Sequence, residues 1–269
     1  MLSAFTLLLL LFSTGVVFAN PWSVEIQHWQ ATQFEKSIQK DSAAIKRRQS
    51  SISYDWSQEQ TEIGLSYRYQ PVLIRDGNPA HNGHFNQLDL SFRLHHGPTQ
   101  VELTSGIHVS SNMFQHFDFH KEALVSKFSV IHSVSNDTAH IGINGDYRFG
   151  HFRVYPRVSI SKVLSRGSEL TIDLPVELLW KKHHWQIGIR RYGEKWAALD
   201  AERKFESAFY LNEWHLSGRW QVPASKDKVT FELGAGVSFN SRVRYLDLFR
   251  GWLEKDLESA VFIVLGMKF

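Results

Sequence analysis

The sequence predicts an all-β fold: a transmembrane, antiparallel up-and-down β-barrel of about twelve strands. Three observations carry this reading. From about residue 50 to the end, apolar residues recur at every second position, row after row. After the first nineteen residues, no stretch approaches the ~20 apolar residues that a membrane helix needs. The chain stops on VFIVLGMKF, where Val261, Ile263, Leu265, Met267 and Phe269 form one apolar row.

Residues 1–19 set the expected compartment. Leu2 to Phe18 is an apolar run, and Val17-Phe18-Ala19 supplies the small-x-small pattern of a cleavage site. The run is short for a membrane anchor, so it reads as a signal peptide for export. Residues 20–48 are polar, with Ile26, Trp29, Ile38 and Ile45 at loosely helical spacing. They read as an N-terminal arm or short helix outside the main domain, which spans 49–269.

Within 49–269 the rows follow one another with short separators. Ile52, Tyr54 and Trp56 open the set; Ile63, Leu65, Tyr67 and Tyr69 come next, then Leu88, Leu90, Phe92 and Leu94. The longest strict row is Leu170, Ile172, Leu174, Val176, Leu178 and Trp180, read as a single strand. HHGP, SNDT, FGH, SRGSE and PASKDK supply turns. No helical segment intervenes, so the topology is a meander and not a βαβ fold.

The alternate positions are strongly polar, as in Asn144, Asp146 and Arg148 or Thr171, Asp173 and Glu177. A soluble sandwich would share this pattern. Its strands cluster near five or six residues, however, whereas a tilted membrane strand needs about 9–11. The rows here suit the longer class, and Trp56, Trp180, Trp185 and Trp220 sit near row ends, as an interfacial girdle requires. The apolar face then meets lipid. The sheet must close, because an open edge in hydrocarbon leaves backbone groups unpaired.

Composition narrows the function classes. There are no cysteines, so disulfide scaffolds, thiolate metal sites and thiol nucleophiles are excluded. A net charge of +3 gives no nucleic-acid footprint. The fourteen histidines occur partly in pairs such as His81 and His84, or His183 and His184. They lack HEXXH or ligand-type spacing and read as turn residues, so neither a metal nor a cofactor is expected.

The export signal, the alternating rows and the final row ending in Phe269 resemble Gram-negative outer-membrane β-barrels. That resemblance implies an outer-membrane location. It also implies contact with outer-membrane lipid and lipopolysaccharide, and a last strand read by the barrel-assembly machinery. More narrowly, the stretch YRFGHFRVYPRVSISKVLSRGSELTIDLPVELLWKKHHWQIGIR, with the later KVTFELGAGVSFNSRVRY, is similar to an outer-membrane barrel family catalogued as a domain of unknown function. It implies a fold and a location, and no activity.

One cluster suggests chemistry. In GIHVSSN, His108 and Ser110 share a strand face and Asn112 follows, an acyl-transfer grouping similar to that of outer-membrane lipid hydrolases. Ser111 intrudes in the pattern. The pleat also turns the pair toward the lumen, since Val101, Leu103, Ile107 and Val109 form the apolar row. Counting back through about twelve strands from a periplasmic C-terminus puts the 110–120 loop on the periplasmic side. A second set, Asp146, Arg148, Arg153, Arg157, Asp173 and Glu177, would line the lumen with both signs of charge. Such pairs suit a cross-linked, plugged lumen, with a passive small-solute channel as the alternative. Arg190, Arg191, Lys181, Lys182, Lys226, Lys228, Arg242 and Arg244 are turn-proximal cations that could meet lipopolysaccharide phosphates. Phe262 and Val264, on the inner row of the last strand, favour a packed interior.

Overall fold

The computed structural model describes residues 22–33, 44–74, 83–111, 113, 121–135, 138–164, 167–199, 206–223, 229–247 and 251–269. The expected signal peptide and Asn112 lie outside the described residues. The strands are β1 (Trp22–Trp29), β2 (Thr32–Gln33), β3 (Ala44–Gln58), β4 (Thr61–Ile74), β5 (Gly83–His96), β6 (Thr99–Ser110), β7 (Leu124–Ser135) and β8 (Ala139–Asp146). They continue with β9 (Arg153–Val163), β10 (Ser168–Leu174), β11 (Glu177–Lys182), β12 (Trp185–Leu199), β13 (Glu206–Pro223), β14 (Thr230–Asp247), β15 (Gly251–Leu257) and β16 (Ala260–Lys268).

Each wall strand pairs antiparallel with its neighbours, and β1 closes the ring by pairing β16 on one edge and β3 on the other. β1, β3 to β14 and β16 make a fourteen-strand wall. β15 is an additional strand that pairs the far part of β14, and β2 continues β1 after a break. The outer rows are exposed and apolar: Leu90 56%, Leu103 51%, Ile143 50% and Leu265 52%. The intervening rows point inward, with Asp89, Asn144, Asp173 and Glu232 buried.

Two corrections follow for the strand count. Trp22–Trp29, expected in an outlying arm, is a wall strand. Its outward row is only Trp22, Val24 and Ile26 before His28 interrupts it, too short a run to read as alternation. The strict row 170–180 is two strands, β10 and β11, turning at 174–177. Leu170 pairs Trp180 and Ile172 pairs Leu178, so the hairpin brings like faces together and the alternation runs through the turn unbroken.

The second strand also reverses the expected sidedness. Ser23 pairs Lys268, and Phe269 donates its N–H to the Trp22 carbonyl, so both ends of the described chain meet at one end, the lower. β6 rises from the lower end, so the 110–120 segment lies at the upper end, opposite the termini. The short turns at 58–61, 96–99 and 182–185 lie at the lower end.

The upper half is not a simple continuation of the lower. β8, β10 and β11 have 8, 7 and 6 residues, whereas β12, β13 and β14 have 15, 18 and 18. β11 leaves β12 after Arg190, and β7 leaves β6 above Ile107. Two backbone edges are thereby freed, and unpaired edges seek partners. They find each other: Ala197 of β12 bridges Val109 of β6 in parallel. β7 to β11 are bypassed there, and the remaining strands draw into a tighter ring above the fourteen-strand wall, with no ladder between β15 and β2 among the described residues. A bulge accompanies this change of curvature. Asn212 pairs Arg242 but Trp214 pairs Phe239, and Asn240 sits at φ 48. An extra residue of this kind bends the strand that carries it.

Candidate functional site

The tighter ring is filled. Val72, Phe85, Trp196, Phe209, Leu211, Val243 and Leu257 are buried together inside it. The Phe85 ring lies 5.2 Å from Trp196 and 5.5 Å from Phe209. Each belongs to an inward row, so the pleat that turns polar groups inward lower down turns an apolar core inward here. The cluster lies inside the upper lumen.

Beneath it runs a belt of buried charges. Arg47 of β3 donates to Glu213 of β13 through two 2.8 Å bonds. His215 Nε2 lies 2.6 Å from the same carboxylate, and Ser241 Oγ donates to it at 3.0 Å. Glu194 of β12 accepts from Arg68 at 3.1 Å and from Lys127 at 3.1 and 3.2 Å. Outside this belt, on the outer row of β12 beside the β6–β12 bridge, Lys195 pairs the part-exposed Glu122 at 2.6 Å. Opposite charges in a poorly hydrated interior attract strongly, and a buried carboxylate without such partners would be costly.

His108 belongs to this belt. Its Nε2 lies 2.8 Å from Asp89 Oδ1 and its Nδ1 lies 2.9 Å from the Lys195 carbonyl. Both ring nitrogens face acceptors, so neither is left as a base for Ser110. The side chain is fully buried and faces the lumen, and Ser110 is buried as well. The ring instead ties β5 and β6 to the backbone of β12.

Of the expected lumen residues, Asp146, Arg157 and Asp173 do face inward. Arg157 clamps Asp173 at 2.7 and 2.8 Å and reaches Ser129, while Tyr155 donates to Asp146 at 2.6 Å. Arg148 lies 3.4 Å from Asp146, and Glu177 accepts from Arg190 at 2.8 Å. Arg153 is exposed and donates to His151 Nε2. A cavity of about 290 Å³ lies against Arg68, Lys127, Asn144, Asp146, Arg157 and Glu194. Sequence reasoning missed Arg47, Arg68, Glu194 and Glu213 as lumen residues. Lumen-facing parity in β3, β4, β12 and β13 could have found them; their partners across the barrel could not be found that way.

At the upper rim the 147–152 turn leans on β12 and β13. A Cβ built on Gly193 would come 2.5 Å from the Arg148 Cα, so only glycine allows this approach. Arg191 lies over Phe149 at 4.3 Å and over Trp214 at 5.4 Å, and Arg244 lies over Trp252 at 4.5 Å. Arg242 pairs Glu254 and Asp256. Burial and the nearby Arg153 and Arg244 hold the His151 imidazole below its ordinary pKa. Lys226 and Lys228 lie outside the described residues. In the last strand, Val261, Ile263 and Leu265 face outward, while Phe262 and Val264 pack inward with Trp29 and Ala260.

No family model matches this chain, and no curated protein matches it. Solved structures similar to it are outer-membrane proteins. OpdK of Pseudomonas aeruginosa, crystallised with vanillate, has a TM-score of 0.35 at 7% identity, over 93% of this chain and 98% of its own. The outer-membrane protease OmpT of Escherichia coli has 0.30 at 9%, over 96% and 99%. An outer-membrane channel of Pseudomonas putida F1 has 0.33 at 7%, over 95% and 97%.

Proposed function

We propose that the protein is an outer-membrane β-barrel with a closed lumen, serving a structural or binding role and not forming an open pore. The location rests on the exposed apolar belt, whose closed ring leaves no wall edge unpaired in hydrocarbon. Such a belt calls for outer-membrane lipid, with lipopolysaccharide at the outer leaflet. The row from Val261 to Phe269 is the proposed signal for the barrel-assembly machinery, so removal of Phe269 should lower the assembled fraction on heat-shift gels.

The observation that carries the closed-lumen reading is the apolar core from Val72 to Leu257, which spans the upper ring where a pore would have to run. A hydrated pathway needs polar walls of sufficient width, and a packed aromatic core supplies neither. Planar-bilayer recordings of the refolded protein test this. Silence across salts is expected; a steady unit conductance would overturn the reading in favour of a passive small-solute channel.

A further inference from the structure

A second cavity lies apart from the lumen. It has a volume of about 720 Å³ and lies against His28, Trp29, Lys46, Arg47, Arg48 and His84. Its lining takes residues from both faces of β3: Lys46 and Arg48 are exposed and point outward, Arg47 inward. The cavity therefore sits in the wall itself, near the upper end.

The sequence explains the gap. In the β3–β4 ladder the pairs run to Arg47–Val72 and resume at Ser50–Tyr69. The two missing pairs would be Arg48–Pro71 and Gln49–Gln70, and Pro71 has no N–H to donate. On the other edge, β1 pairs β3 up to His28–Arg48, and β2 resumes at Thr32–Ile45, one residue out of register. Both ladders of β3 thus falter at the same height.

What lines the gap is one-sided. None of its lining residues is acidic. Two of the lining residues each hold a buried donor with no hydrogen-bond partner among the described residues: the indole Nε1 of Trp29, 3% exposed, and the Nε of Arg47, 4% exposed. The Arg47 guanidinium spends its other two nitrogens on Glu213 and lies 4.9 Å over the Trp29 ring. Lys46 and Arg48 carry no carboxylate partner among the described residues. Buried donors left unmade are costly, so a site of this composition asks for an acceptor rich in oxygen and negative charge.

We propose that this wall cavity binds a phosphate group carried on a sugar. Trp29 Nε1 and Arg47 Nε would donate to phosphate oxygens, and Lys46 and Arg48 would supply countercharge. A phosphate offers several acceptor oxygens to several donors, where a neutral acceptor leaves the two exposed cations unmet. The volume exceeds what an inorganic ion fills, and Trp29, Ala31, Pro71 and Val72 give the remainder a mainly apolar floor, with His28, Gln30 and His84 as polar points, a mixture suited to the apolar face and hydroxyl edge of a sugar ring. The same chemistry occurs in soluble phospho-sugars and in phosphorylated glycolipid headgroups.

Titration calorimetry of the refolded full chain, in phosphate-free non-ionic micelles, tests the site with glucose 1-phosphate, glucose and lipid A. Binding of glucose 1-phosphate but not glucose supports a soluble source; binding of lipid A alone supports a lipid-borne one. The double variant K46A/R48A, at exposed side chains, should weaken binding about tenfold or more, and Trp29→Phe a few-fold, with heat-shifted gel migration preserved. The proposal is overturned if neither phosphorylated probe binds, if glucose binds equally well, or if both folded variants bind like the wild type. Conductance does not enter these outcomes, so the site stands or falls apart from the closed lumen.

Discussion

Arg47 and Glu213 face each other across the barrel interior, 166 residues apart in sequence, and close a two-bond ion pair at 2.8 Å with both side chains sealed from solvent. This pair joins β3 to β13 directly beneath the apolar core. Removing one partner strands the other charge. Glu213→Gln should therefore cost about 3–5 kcal/mol, read as a lower urea midpoint of the refolded barrel in micelles. The double variant Arg47→Met/Glu213→Leu should lose less than either single change. An additive loss would show that the pair is not coupled.

In the closed-lumen proposal, the core above the pair is the stopper. Trp196→Ala removes its largest fully buried side chain and should destabilise by about 3–5 kcal/mol. Combined with Phe209→Ala, it should also produce conductance steps in bilayers, where silence is expected of the wild type. Continued silence in a folded double variant would place the block lower in the lumen.

Gly193 and Gly218 make a controlled comparison. A Cβ on Gly193 meets the Arg148 backbone, while one on Gly218 meets nothing within 4 Å. Gly193→Val should lift the 147–152 turn from β12 and expose it to trypsin after Arg148 or Arg153. Gly218→Ala should leave the cleavage pattern unchanged. Equal patterns would show that the turn is not held by this contact.

Ester hydrolysis offers a direct check on His108. With Asp89 and the Lys195 carbonyl facing its two nitrogens, the wild type and Ser110→Ala should show the same background turnover of p-nitrophenyl esters. Turnover lost in Ser110→Ala would restore the acyl-transfer reading.

The upper rim should respond to acid. His151 has a lowered pKa in the folded protein, because burial and then Arg153 and Arg244 disfavour its charged form. A depressed imidazole is bound more weakly by protons when folded than when unfolded. Its docking is thus fully stable above the unfolded value of 6.5 and weakens as pH falls below it. An NMR titration should place the His151 midpoint below 6.5, and Arg244→Ala should raise it. An unchanged midpoint would remove Arg244 as a cause.

Much of the wall was legible because a pleat is a local property. Leu88, Leu90, Phe92 and Leu94 announce their outward face by spacing alone, and Phe262 and Val264 their inward one. The same locality explains the miscount. Alternation at 170–180 passes through a turn that pairs like faces, so nothing in the row signals that the chain has reversed. β1 failed for the opposite reason, since three outward apolar residues are too few to stand out from a polar segment.

By itself, the sequence determined the class: alternating rows, closure of the sheet, and which side chains turn out or in. Tertiary structure alone decided how many strands close the ring, where the freed edges of β6 and β12 meet, and what lies across the interior. Val72, Phe85, Trp196, Phe209 and Val243 come from separate strands and form a core only once the upper ring tightens. Parity says that a residue points inward. What it meets depends on strand number, strand length and curvature, which no single strand encodes.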